Sequence, residues 1–136
     1  MVTETVYIDS SAIVKWVVRE PGWQALETYL RDIPARAVSR VATVEVPRAI
    51  ARVPGLDVAA MAERLRSVFE RLTLLEFGAE VAAAAARLQP ATLRSLDAIH
   101  LASALELRDD LVALVTYDAR MMDAAKHLGL PTAAPT

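Results

Sequence analysis

Val6-Tyr7-Ile8-Asp9-Ser10-Ser11 sets three apolar, strand-favouring residues directly before an aspartate and two small hydroxyl residues. Ala12, Ile13, Trp16 and Val17 then recur at helical spacing, so the chain turns from strand to helix around Asp9. A carboxylate at such a turn sits at the carboxyl edge of a sheet, where open α/β folds bind ligands. One aspartate there carries little weight unless other segments bring matching groups to the same edge.

The same alternation continues along the chain. Ser10 or Ser11 is placed to cap the first helix, which Pro21-Gly22 breaks. Trp23 to Leu30 is amphipathic, and Arg36 to Ser39 reads as a second strand. Val41 to Arg52 is helix-spaced with Pro47 inside it, and Leu56 to Leu72 gives a longer helix beyond the Pro54-Gly55 loop. Leu74 to Phe77 is a third strand candidate, and Gly78 to Leu88 is helical as far as Pro90. Ser95 opens a helix over Leu96 to Leu107. Val112 to Thr116 has the continuous apolar pattern of a strand buried on both faces. Asp118 begins the last helix, which stops at Gly129, and Pro131 to Ala134 reads as a short edge strand. Strands alternating with helices predict an α/β fold. The expected form is a three-layer α/β/α sandwich around a parallel sheet of four or five strands, with residues 1–136 as a single domain.

Composition narrows the class. Hydrophobic residues make up 54% of the 136 residues and the mean hydropathy is +0.30, which marks a core-rich globular chain. The absence of cysteine excludes disulfides and thiolate metal sites. No apolar run reaches the ~18 residues of a membrane span, and no basic segment precedes a long apolar stretch at the N-terminus, so a soluble, cytoplasmic protein is expected. A net charge of −2 argues against a broad basic surface, and any nucleic-acid contact must use a local cluster.

Four acidic residues stand out by position: Asp9, Glu45 in an otherwise apolar helical stretch, Asp97 early in the Ser95 helix, and Asp118 after the Val112–Thr116 strand. Singly, each has a plain structural reading. Asp9 and Asp118 would cap helices, Asp97 would complement a helix dipole, and Glu45 would face water. Together they weigh differently, because carboxylates gathered at one sheet edge repel unless protonated or bridged by a cation. An all-oxygen site suits Mg²⁺, with Mn²⁺ as a substitute, and such cations handle phosphate oxygens.

Arg48 and Arg52 follow Glu45 at helical spacing, forming either a basic lip beside the acids or a solvated face. His100, three residues after Asp97 among apolar neighbours, reads as a packed, hydrogen-bonded histidine rather than a ligand or base. Trp16 and Trp23 read as packing residues.

The order and context of these residues resemble the PIN-domain ribonucleases, most closely the toxin half of VapBC-type toxin–antitoxin pairs. The matching pieces are Tyr7-Ile8-Asp9-Ser10-Ser11-Ala12-Ile13-Val14-Lys15, Glu45 with Arg48-Ala49, Leu96-Asp97-Ala98-Ile99-His100-Leu101-Ala102, and Thr116-Tyr117-Asp118-Ala119-Arg120-Met121. Each piece alone is weak; four in order across nearly the whole chain form a specific signal. The resemblance implies an Mg²⁺-dependent endoribonuclease that leaves 5′-phosphate and 3′-hydroxyl ends. It also implies a homodimer and a cognate antitoxin that blocks the site. The family's acidic positions fall on Asp9, Glu45, Asp97 and Asp118, and its small polar residue falls on Thr116. In that reading Asp9, Asp97 and Asp118 hold one or two metal ions. Glu45 completes the site or orients the attacking water, while Ser10 and Thr116 hydrogen-bond the carboxylates. Arg48 and Arg52 then meet RNA phosphates or an antitoxin carboxylate.

Pro47 departs from the family pattern. If the helix starts as late as Val44 to Val46, Pro47 falls harmlessly in its first turn; if it begins near Val41, the proline ring and missing N–H fall inside the helix, a kink that would rotate Glu45. The competing reading is a non-catalytic or receiver-like α/β module, for which Lys126 is poorly placed. A dinucleotide-binding fold fails for want of a G-x-G-x-x-G after a strand.

Overall fold

Val6, Tyr7 and Ile8 have no solvent exposure, because the strand they form, β1 (Thr5–Ile8), is the middle of a five-stranded sheet. The structure is a computed structural model that describes residues 3–136. The other strands are β2 (Ala35–Ser39), β3 (Thr73–Leu75), β4 (Leu111–Val115) and β5 (Thr132–Ala133). All pairings are parallel, in the order β3-β2-β1-β4-β5. The helices are α1 (Ser10–Val18), α2 (Trp23–Arg31), α3 (Ala42–Ala51), α4 (Val58–Glu70), α5 (Ala79–Arg87), α6 (Ser95–Glu106) and α7 (Ala119–His127). This is the α/β/α sandwich expected from the alternation, with five strands.

The strand order positions the site. From β1 the chain builds outward through β2 and β3, then returns to the other side of β1 for β4 and β5. The direction of building therefore reverses between β1 and β4, and their carboxyl ends flank the crevice that such a reversal opens. Ile8 pairs with Val115, so Asp9 and Thr116 emerge side by side.

The core lies between the sheet and its helices. Ala12, Ile13, Trp16 and Val17 of α1 pack with Leu26, Leu30, Val46 and Leu101. Burial of each large aliphatic side chain contributes about 1.5–3 kcal/mol, and this packing holds the base of the site rigid. Ser103 Oγ is the one buried side-chain polar atom without a hydrogen-bond partner among the described residues. Among those residues, no helix is long and apolar enough to cross a membrane.

Several boundaries differ from expectation, each for a local reason. Asp9 itself, not Ser10 or Ser11, caps α1, accepting from the Ala12 N–H at 3.0 Å. The α4 helix starts at Val58 rather than Leu56, because Asp57 caps it through the Ala60 N–H. Arg94 precedes α6, so Ser95 is its first residue and supplies no cap. In β4, Val112 is partly exposed and only Ala113 to Val115 are buried. The α3 helix begins at Ala42, which leaves Pro47 in its interior and the Thr43 carbonyl without its usual helical donor.

Candidate active site

Asp9 is 3% exposed, yet both carboxylate oxygens are satisfied. Oδ1 accepts from Ser11 Oγ at 2.7 Å and from the Ala12 N–H; Oδ2 accepts from Thr116 Oγ1 at 2.5 Å. Thr116 Oγ1 in turn accepts from the Asp118 N–H at 3.0 Å, and Ser11 Oγ accepts from the Tyr117 N–H at 3.1 Å. The ends of β1 and β4 are thus joined through side chains beyond the last ladder bonds. Burial pushes the Asp9 pKa up, while Thr116, Ser11 and the Ala12 N–H pull it back. Ser10 and Thr116 each hydrogen-bond a carboxylate, but not the same one: Thr116 and Ser11 serve Asp9, whereas Ser10 Oγ donates to Glu45 Oε1 at 2.8 Å.

Asp118 caps α7, its Oδ1 accepting from the Arg120 and Met121 N–H groups. Its other oxygen lies 3.4 Å from Arg94 Nη2, and Arg94 Nε donates to Asp97 Oδ2 at 2.9 Å. One guanidinium therefore bridges two of the four acids. The hydrogen bond to Asp97 raises the Arg94 pKa further, so the bridge stays positive. Arg94 is a site residue that the sequence reading missed. Its position three before Asp97, a spacing that brings helical side chains together, was the available signal.

Glu45 reaches the site despite Pro47. Its Oε1 accepts from Ser10 and from His100 Nε2, the latter at 2.6 Å. His100 is the packed, hydrogen-bonded residue its apolar neighbours suggested, and its Nδ1 lies 2.6 Å from the Tyr7 hydroxyl. Burial acts to raise the Glu45 pKa, but the His100 hydrogen bond, with Ser10 and the field of Arg94, outweighs it. Glu45 is held below its ordinary value. It makes no ion pair with Arg48. Instead Glu45, Arg48 and Arg52 line a cavity of about 520 Å³ with Ser10, Ser11 and Val44. A second cavity, of about 570 Å³, is lined by Arg94, Asp97 and Arg120, so Glu45 borders one cavity and Asp97 the other.

The donor set consists of carboxylate and hydroxyl oxygens, the chemistry that suits a hard divalent cation. Asp9 offers about four lone-pair sites and three are engaged, which leaves one for a ligand. As the side chains stand, no three His, Asp or Glu residues among those described gather closely enough to hold an ion, and the charge between Asp97 and Asp118 is that of Arg94. The acids fit such a cation in kind, with Arg94 as the group that must move aside. A receiver-like site fits less well. Lys126 lies in the last turn of α7, and Lys15 Nζ is held on the Pro21 carbonyl.

Residues 6–127 match the PIN domain family model. The ribonuclease VapC46 of Mycobacterium tuberculosis is 47% identical over 132 residues, covering 96% of this chain and 98% of that one. Among solved structures, M. tuberculosis VapC20, described as a sarcin–ricin loop cleaving toxin, aligns with a TM-score of 0.71 at 12% identity. That alignment covers 96% of this chain and 99% of VapC20. A toxin–antitoxin complex from Klebsiella pneumoniae contains a chain that aligns with a TM-score of 0.65 at 21% identity, over 86% and 89% of the two chains. At these identities the structural likenesses speak for the fold. With a buried acid at the β1–β4 crevice and a family match over most of its length, the chain belongs to the PIN-domain family, beside the ribonucleases named VapC.

Proposed function

We propose that this protein is an endoribonuclease, the toxin member of a toxin–antitoxin pair, and that it cuts RNA with Mg²⁺, or Mn²⁺ in its place, bound at Asp9, Asp97 and Asp118. The observation that supports this reading is a buried Asp9 at the end of β1, tied through Thr116 to the backbone of Asp118, with Asp118 and Asp97 bridged by the Arg94 guanidinium. The 47% identity to VapC46, named a ribonuclease, over nearly the whole of both chains supports the substrate class.

Asp9 supplies a carboxylate fixed by three donors, so it does not reorganise when a ligand arrives. Thr116 and Ser11 hold that carboxylate and tie it to the start of α7. Glu45, held below the usual carboxylate pKa, presents a negative Oε2 that accepts a hydrogen bond from water. Arg94, freed from the acids, is within reach of an RNA phosphate, and Arg48 and Arg52 line the cavity through which the strand would continue. When bound, the metal supplies positive charge toward the phosphate oxygens and makes water a stronger acid. A homodimer in the cytoplasm, held inactive by an antitoxin over the acids, completes the proposal.

The test is RNA cleavage by wild type, Asp9→Asn and Asp97→Asn, with Mg²⁺ and with chelator. Both variants should remain folded and lose Mg²⁺-dependent cleavage, and the wild-type products should carry 5′-phosphates. Undiminished cutting by both variants would overturn the assignment.

A further inference from the structure

Glu45 is held by a buried column of polar groups that lies outside the acidic cluster. The Ser39 N–H donates to the Tyr7 hydroxyl at 3.0 Å, Tyr7 meets His100 Nδ1 at 2.6 Å, and His100 Nε2 meets Glu45 Oε1 at 2.6 Å. Tyr7 has no exposure and His100 is 2% exposed. The column joins β1, the consecutive β2 and α3, and α6, three separate stretches of the chain.

We infer that Tyr7 and His100 are positioning residues that fix which oxygen of Glu45 faces the reacting water, a role that rests on the ribonuclease reading. Proton accounting carries the argument. A phenol ordinarily titrates at about pH 10, so the Tyr7 hydroxyl carries its proton at neutral pH. Its oxygen already accepts from Ser39, and His100 Nδ1 accepts that proton in a 2.6 Å hydrogen bond, while Ser103 Oγ, which also neighbours the Tyr7 hydroxyl, makes no hydrogen bond of its own among the described residues. In the neutral imidazole the remaining proton is then on Nε2, where it donates to Glu45. Ser10 gives its own proton to the same Oε1 and lies 3.2 Å from Nε2. Oε1 thus receives two donors, while Oε2 has no partner among the described residues and remains to accept from water. Without the Tyr7 hydroxyl, Nδ1–H becomes competitive, and that tautomer would turn a lone pair toward the Glu45 carboxylate.

The column answers the question Pro47 raises. An α3 turn deprived of one hydrogen bond has a less determined geometry. His100 and Ser10 anchor Glu45 from outside that helix, so its placement does not depend on the turn.

The experiment combines two measurements. Long-range ¹⁵N NMR of the imidazole should place His100 of the wild-type protein in the Nε2–H tautomer, and Tyr7→Phe should populate Nδ1–H. Tyr7→Phe should lower kcat about tenfold with KM within about twofold, yet lower the residual activity of Glu45→Gln less than about twofold, because coupled residues are not additive. His100→Asn, which keeps the site polar, should show the same dependence on Glu45. An Nδ1–H tautomer in the wild type, or losses that multiply in the Glu45→Gln background, would overturn the inference. A wild-type protein that cuts no RNA refutes the functional reading and the positioning role together, and the tautomer then judges the column alone.

Discussion

Thr116→Val probes the join between the two strand ends. The hydroxyl is fully buried, donates to the Asp9 carboxylate and accepts from the Asp118 N–H. Valine keeps the shape and removes both bonds. A hydrogen bond to a charged group contributes about 1.5–3 kcal/mol, and a stranded N–H costs about 1–3 kcal/mol when buried. The Asp118 side chain is 32% exposed, so water near it relieves part of the second cost. A total of about 3 kcal/mol follows, a large share of a stability of about 5–15 kcal/mol. With a urea dependence of about 2 kcal/mol per molar, the unfolding midpoint should fall by about 1.5 M. Thr116→Ser keeps the hydroxyl and should lose about 1 kcal/mol, the burial of one methyl group.

The loss should depend on pH. Burial raises the folded Asp9 pKa and Thr116 opposes that rise, so in Thr116→Val Asp9 protonates at still higher pH. The Thr116 bond favours the ionised form. Its contribution is full where wild-type Asp9 is charged and shrinks as pH falls through the folded pKa, which lies above the ordinary aspartate value. Urea titrations at neutral and mildly acidic pH should show the gap to wild type narrowing on acidification, with no such narrowing for Thr116→Ser. A gap below about 1 kcal/mol at neutral pH, or one that widens with acid, would refute the reasoning.

Further outcomes follow from the same geometry. Asp9→Asn should unfold at a higher temperature than wild type at neutral pH, because the amide removes a buried charge and keeps an oxygen for the Ala12 N–H; calorimetry showing a loss above about 2 kcal/mol would contradict this. Arg94→Gln should bind Mg²⁺ more tightly in titration calorimetry without RNA, and it should change stability little, since the guanidinium is exposed, although its partner Asp97 is nearly buried. Unchanged or weaker Mg²⁺ binding would show that Arg94 does not compete. Arg48→Gln combined with Arg52→Gln should weaken RNA binding and reduce its salt dependence by up to about two counterions, measured by fluorescence anisotropy at several salt concentrations. An unchanged salt slope would place the RNA elsewhere.

The sequence was most informative where local pattern and position coincide. Val6 to Ile8 before Asp9, and Val112 to Thr116 before Asp118, marked two strand ends because apolar runs and helix periodicity meet there. Adjacency of those strands became a fact only with the sheet order. Which serine serves Asp9 was beyond local reading: neighbouring residues on a helix differ by about 100°, and Asp9 took the cap that Ser10 or Ser11 was expected to fill. The link from His100 to Glu45 spans 55 positions and is set by how α6 packs beside α3. Pro47 predicted a helix starting late or a displaced Glu45; contacts from α1 and α6 hold the glutamate and make both outcomes unnecessary.

Asp9 and Asp118 each begin a helix as well as furnishing an acid. Asparagine begins helices about as well as aspartate, and at Asp9 it spares the fold a buried charge. On the proposed function, silencing this protein would need only the exchange of one oxygen for one nitrogen, a change that folding would tolerate or favour. A chain with Asn at either position would then be a well-folded copy whose chemistry is switched off, not a damaged one.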